Sequence, residues 1–120
     1  AGLLTDVSNT VDTFMTDLRE HDASDNVTLL LFSEFGRRVV DNGSGTDHGA
    51  AGVAFAVGEH IKGGVYGTYP SLEPSQQEEG GNLKFNLDFR SVYSTILEDW
   101  FQLDAEPIVG GNFERVKFFA

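Results

Sequence analysis

The sequence lacks cysteine, has few basic residues and contains no long apolar run. Without cysteine, structural disulfides and thiolate metal sites are excluded. Eight Lys and Arg residues stand against 19 Asp and Glu residues, which gives a net charge of −11, and the basic residues form no cluster. Nucleic acids and anionic membranes are bound by clustered cations, so neither partner is expected. No apolar run approaches the ~20 residues that a membrane-spanning helix needs.

The length of 120 residues corresponds to one small domain, so we predict a single α/β domain over residues 1–120. The sequence begins at Ala1 rather than at Met and enters a helical pattern almost at once, which indicates a fragment of a longer protein. Apolar residues share one face of this first helix at three- and four-residue steps. They are Leu3, Leu4, Val7, Val11, Phe14, Met15 and Leu18.

A buried strand is predicted at Val27–Phe32, where every residue except Thr28 is apolar. Such runs are typical of strands that are covered on both faces, as in a parallel sheet. Glu34 follows within two residues and should stand at the carboxyl end of this strand, where open α/β sheets bind their ligands. A loop rich in Gly, Asn and Ser comes next and presents Asp47 and His48. We predict that these three side chains converge.

The rest of the chain supplies further elements of the fold. A second apolar strand is predicted over residues 51–58 and a final strand at Arg115–Phe119. Between them, Asp88 can cap a helix that runs to Trp100 and buries a broad apolar face. The expected architecture is α/β, with a small, mostly parallel sheet flanked by two main amphipathic helices.

A carboxylate beside a neutral imidazole suits Zn, Mn or Fe, and a neighbouring Glu completes three protein ligands with one position open. Asp47, His48 and Glu34 are therefore the candidate ligands of a divalent metal, for which Ca is a further candidate. Two alternatives stay open. An Asp in a Gly-rich loop often caps a turn through backbone N–H groups. A Glu at a strand end can instead pair with an arginine, here Arg37 or Arg38.

Other chemistries find little support in the sequence. No G-x-G-x-x-G segment opens a helix, so a phosphate-binding glycine loop is excluded. His21 and His60 lie in polar turns, where a solvated histidine is the better interpretation. The serines lack a base at a predictable distance, so no catalytic nucleophile is assigned.

Several segments after Val27 carry a likeness to a known family. They are F-S-E-F-G-R-R-V, G-T-D-H-G, I-K-G-G-V-Y-G, Y-P-S-L, L-K-F-N-L-D-F-R-S-V-Y-S-T-I-L-E-D-W and V-G-G-N-F-E. In this order they resemble the C-terminal part of a bacterial family known only as domain of unknown function number fifteen hundred and one. The resemblance spans most of the chain and implies a C-terminal part of an alkaline-phosphatase-like fold.

The resemblance also implies a longer protein, often exported, that is distantly related to alkaline phosphatases, sulfatases and cofactor-independent phosphoglycerate mutases. In that superfamily an Asp-His pair followed by Gly, near the end of a sheet strand, supplies metal ligands. Asp47, His48 and Gly49 match this pattern. The pair usually sits directly at the strand end, whereas Glu34 holds that place in this sequence.

Two functions from different classes follow. In the first, the chain is the C-terminal portion of an exported, periplasmic or extracellular, metal-dependent hydrolase resembling phosphatases and sulfatases. It would be inactive alone, because the missing N-terminal half of its own chain supplies the nucleophile. In the second, it is a non-catalytic interaction or accessory module with the same fold and no metal. Unburied apolar faces also predict self-association into a homo-oligomer.

Overall fold

The computed structural model describes residues 2–120, and its first helix, α1, spans Gly2–Glu20. The predicted amphipathic helix is therefore confirmed. Of its apolar face only Met15 is buried, whereas Leu3 and Leu4 are 82% and 77% exposed. The apolar face of α1 thus lies largely in solvent.

Within residues 2–120, four short strands form two separate two-stranded sheets. Strand β1, Leu29–Leu31, pairs antiparallel with β4, Phe55–Val57. Strand β2, Gly36–Asp41, pairs antiparallel with β3, Thr46–Gly49, and forms a hairpin that is inserted between β1 and β4. The register of β2 against β3 shifts between Arg37 and Asp41.

The prediction of a mostly parallel sheet is wrong, because all strands in residues 2–120 pair antiparallel. Parallel neighbours need a crossover of a dozen or more residues, usually a helix. The chain between Leu31 and Phe55 contains a hairpin and no helix, and it therefore returns to β1 from the opposite direction. The fold is α/β with two small antiparallel sheets and three helices among the described residues.

Helix α2 spans Phe89–Thr95 and continues as a π-helical turn over Ile96–Trp100. The predicted cap is confirmed, because the Asp88 side chain accepts a hydrogen bond from the Arg90 backbone N–H at 2.9 Å. The buried face of α2 is polar rather than aromatic. It consists of Ser91, Ser94 and Thr95, whereas Phe89 is 64% exposed.

The C-terminal segment contains one short helix, α3, at Glu106–Val109. The strand predicted at Arg115–Phe119 does not form, and only a single bridge joins Phe119 to Ile61. The segment instead contributes Val116 and Phe118 to the small set of buried apolar residues, together with Met15, Ala51 and Ala105.

The dimensions of the molecule show how little of its apolar surface is covered. Its radius of gyration is 16.7 Å, against about 14 Å for a compact domain of this length. Many large apolar side chains, from Leu3 to Ile108, are more than one third exposed. None of the helices described here has the length and apolarity required to cross a membrane.

Candidate functional site

The β2–β3 hairpin positions Asp47 and His48, and side chains of its own turn hold it together. The Asp41 carboxylate accepts the Gly43 N–H at 2.6 Å, and Asn42 Oδ1 accepts the Ser44 N–H at 3.1 Å. Short Asx contacts of this kind stabilise turns. Gly43 has a φ of 92°, a backbone conformation that glycine adopts without steric cost. The hairpin is therefore specified locally.

An open depression of about 440 Å³ lies along this hairpin. Asp47 and His48 both line it, together with Arg37, which stands opposite His48 in the strand register. The remaining lining residues come from the turn and the start of β3: Asn42, Ser44, Gly45 and Thr46. One carboxylate, one imidazole and one guanidinium therefore border the same solvent-accessible space.

Asp47 is tied to the turn of the hairpin. Its Oδ1 accepts a hydrogen bond from Asn42 Nδ2 at 2.7 Å. This contact joins the start of β3 to the end of β2, and it gives the carboxylate a structural task within the hairpin. A carboxylate has two oxygens and about four acceptor sites, so this one bond leaves capacity for a further ligand.

His48 is held by an aromatic stack. Its ring lies 3.4 Å from the Phe35 ring between centroids, at an interplanar angle of 15°. The Arg37 guanidinium carbon also lies over Phe35, 5.0 Å from the ring centroid. Phe35 thus fixes the orientation of both the imidazole and the guanidinium at the depression.

Glu34 precedes β2 and does not line the depression. Ser33 Oγ donates to its Oε2 at 3.3 Å. The alternative ion pair with an arginine is also not formed among the described residues. Arg37 instead donates to the Thr46 carbonyl at 2.7 Å, and Arg38 donates to the carbonyls of His48 and Glu79, each at 3.1 Å.

The donor set fits part of a metal site. Carboxylate and imidazole are ligands that Zn, Mn and Fe accept, and both border one depression. Consecutive strand residues direct their side chains to opposite faces, however. No group of three His, Asp or Glu side chains in residues 2–120 is placed to hold a metal. Among the described residues, Asp47 and His48 are the two candidate ligands that border this depression.

Sequence reasoning missed the hairpin and therefore missed Arg37 as a lining residue. It treated residues 36–48 as a loop, although Asn42-Gly43 comes one residue after the β-branched pair Val39-Val40 and is a strong hairpin signal. It also missed the two hydrogen bonds by which the Arg38 side chain joins β3 to the segment that contains Glu79. The turn-forming residues within 39–46 were enough to predict a hairpin and therefore the strands on either side of the turn.

A second charged contact lies at the start of α2. Arg90 donates through Nε and Nη2 to the two carboxyl oxygens of Asp88, at 3.0 and 2.8 Å. This side-chain contact, and then the Arg90 backbone N–H, lower the pKa of Asp88 below its ordinary value of 3.8. A carboxyl with a lowered pKa stabilises the fold above its unfolded pKa, and this stabilisation is lost as pH falls through its folded pKa.

We therefore expect Asp88→Ala to lower the free energy of unfolding by about 1 kcal/mol at pH 7, the usual cost of losing a helix cap. The difference from the wild type should shrink as pH falls below the ordinary carboxyl pKa of 3.8 and through the lower pKa of folded Asp88, because the wild-type stabilisation is lost over that range. Urea denaturation at pH 7 and pH 3 measures both values. Asp12→Ala, on the exposed face of α1, is the control and should show no such pH dependence. An equal loss for Asp88→Ala at both pH values would contradict the pKa argument.

These features define an α/β protein in which an irregular antiparallel hairpin presents an acid, an imidazole and a guanidinium beside an open depression. The chain belongs to the family described as Protein of unknown function (DUF1501), whose model matches residues 1–109. The family resemblance inferred from the sequence is thereby confirmed. A search of curated proteins and a search of solved structures found no match.

Proposed function

We propose that the chain is the C-terminal portion of an exported, metal-dependent phosphatase- or sulfatase-like hydrolase, in which Asp47 and His48 are two ligands of a divalent metal. The observation that supports this function is the shared depression that both residues line with Arg37. The register of β2 against β3 also shifts beside it, between Arg37 and Asp41.

Arg37 suits an anionic substrate at this place. One of its N–H groups donates to the Thr46 carbonyl, and a guanidinium has five donors, so others are free to bind an oxyanion. Arginine binds phosphate through paired, parallel hydrogen bonds. A bound divalent metal supplies Lewis-acid activation of a nucleophile and of a phosphoryl oxygen. In this arrangement Arg37 orients a phosphate or sulfate ester over the depression.

The remaining parts of the site lie outside residues 2–120 in this proposal. Two ligands fall short of the three protein ligands that catalytic zinc sites use, and no nucleophile is assigned among the described residues. The N-terminal half of a longer protein would supply the further metal ligand and the nucleophile. We therefore expect the 120-residue chain alone to bind little metal and to show no turnover.

The test uses the longer protein that contains this chain. We expect it to hydrolyse para-nitrophenyl phosphate or sulfate, to lose this activity with a chelator, and to regain it with Zn or Mn. Asp47→Ala and His48→Ala should each lower kcat/KM by at least about 100-fold. The loss of a metal ligand costs more activity than the loss of a residue that only hydrogen-bonds to a ligand. Asp12→Ala is the matched carboxylate control and should keep full activity.

Glu34 stays a candidate third ligand, and Glu34→Gln decides its role. A loss equal to that of Asp47→Ala would assign it to the metal, whereas full activity would remove it from the ligand set. Chelator-resistant turnover, or no turnover of either ester, would contradict the hydrolase. Cell fractionation of the longer protein tests its export.

A non-catalytic accessory module is the second candidate, and the contacts of the two residues favour it. The Asn42–Asp47 hydrogen bond and the Phe35–His48 stack give both side chains structural tasks in the hairpin. In a module, Asp47→Asn and His48→Ala change the stability of the hairpin and leave metal affinity unchanged. Titration of the longer protein with Zn and Mn separates the two functions, since only the hydrolase loses affinity in these variants.

A further inference from the structure

Strand β1 has one paired edge and one open edge. Its three residues, Leu29–Leu31, pair only with β4. Apart from that pairing, residues 28–32 take part in no backbone hydrogen bond with the described part of the chain. A two-stranded ribbon is at best marginally stable by itself, and three or more strands are usually needed. The open edge of β1 therefore offers main-chain donors and acceptors to a further strand.

The side chains around this edge lack the usual protection. Natural edge strands carry charged residues, proline or bulges, which prevent pairing with other chains. The six residues Val27–Phe32 contain none of these and are apolar except for Thr28. Strand β2 of the same protein shows the contrast, because it carries Arg37, Arg38 and a shift in register. The protein protects one of its sheets and leaves the other open.

A further observation indicates that this place is incomplete. Phe32 is 63% exposed and Phe89 is 64% exposed. Their rings lie 6.2 and 5.5 Å from the Tyr93 ring, and the three rings form one aromatic trio. An apolar surface thus continues from the end of β1.

We propose that the open edge of β1 pairs antiparallel with β1 of a second copy, which gives a four-stranded sheet in the order β4–β1–β1–β4. A two-fold axis through Leu30 brings Thr28 opposite Phe32 of the partner subunit. The edge pairs with itself because it is uncharged and its sequence is apolar on both faces. This inference does not rest on the hydrolase.

The size of the interface predicts its strength. Fully buried aromatic side chains cover roughly 150–250 Å² each, and Phe32 and Phe89 are each more than half exposed. With the strand edge, the buried area falls at the low end of specific interfaces. We expect a weak dimer, with a dissociation constant on the order of micromolar. Its affinity should rise with salt, because each copy carries a net charge of −11 that opposes association.

Analytical ultracentrifugation of the 120-residue chain over a wide concentration range tests the proposal. Phe32→Lys changes a side chain that is 63% exposed and spares the buried core, so the variant should fold. We expect it to weaken the dimer at least about tenfold, as truncation of an interface aromatic does. Phe101→Lys is the matched control, since Phe101 is 57% exposed and lies outside the aromatic trio. This control should dimerise like the wild type.

Hydrogen exchange locates the contact independently of any variant. The amides of residues 28–32 should become more protected as the concentration rises, in parallel with the dimer fraction. A chain that stays monomeric up to millimolar concentration would overturn the proposal. So would a dimer that Phe32→Lys and Phe101→Lys weaken equally, or concentration-dependent protection confined to α1.

Discussion

Gly36→Ala is expected to lower the free energy of unfolding by about 3 kcal/mol or more, among the largest effects of any single substitution in this chain. A Cβ at this position would lie 1.6 Å from the Ala51 carbonyl oxygen and 2.2 Å from its carbonyl carbon. Both atoms belong to the backbone, so neither can rotate away. The first residue of β2 must therefore be glycine for the segment at Ala51 to cross it.

The consequence extends to the candidate site. Gly36 pairs with Gly49 at the end of the hairpin that carries Asp47 and His48. A shift of β2 away from Ala51 would disturb this pairing and the stack of His48 on Phe35. Loss of hairpin stability should therefore accompany loss of the site.

Urea denaturation followed by circular dichroism measures the effect, and Gly63→Ala is the control. A Cβ at Gly63 would meet no atom within 4 Å, and this glycine has no left-handed backbone conformation. We expect the free energy of unfolding of the control to lie within about 0.5 kcal/mol of that of the wild type. Equal stability of the two variants would show that the segment at Ala51 does not pass over Gly36 as described.

Local signals in the sequence predicted the local structure. The apolar periodicity of α1 and the cap at Asp88 depend on neighbours within a few residues, and both are confirmed. The extended run at Val27–Phe32 also contains a strand, although only Leu29–Leu31 pair. Its apolar pattern predicted a strand covered on both faces, but all three residues of β1 are only half-buried.

Non-local pairing explains what the sequence did not predict. The direction of a strand depends on the path of the chain that precedes it. A parallel sheet requires a crossover between β1 and β4, and the chain forms the β2–β3 hairpin there instead. Asp47 and His48 lie close together because they are consecutive in the sequence. The separation of Glu34 from the depression depends instead on the hairpin, which the sequence analysis did not predict. Whether a metal binds there stays a prediction, because further ligands would come from outside the described residues.

The polar inner face of α2 is the other feature that periodicity did not predict, and Thr95 tests its importance. Thr95 is fully buried, and its Oγ1 donates to the Ser91 carbonyl and accepts the Val116 N–H, each at 2.7 Å. The second bond joins α2 to the C-terminal segment, where no strand forms. The Thr95 hydroxyl thus fixes the start of this segment, whereas backbone hydrogen bonds to residues 60–62 hold its end.

Thr95→Val should lower the free energy of unfolding by about 2–3 kcal/mol, because it keeps the shape of the side chain and leaves the Val116 N–H buried without an acceptor. Thr95→Ser retains the hydroxyl and should lose clearly less. The matched control is Thr10→Val, since Thr10 Oγ1 donates to the Asp6 carbonyl at 2.7 Å on the exposed surface of α1. It should change stability by no more than about 0.5 kcal/mol, because water replaces the lost partner. If Thr95→Val and Thr10→Val unfold at the same urea concentration, the hydroxyl of Thr95 does not hold the C-terminal segment, and the packing of Val116 and Phe118 must do so instead.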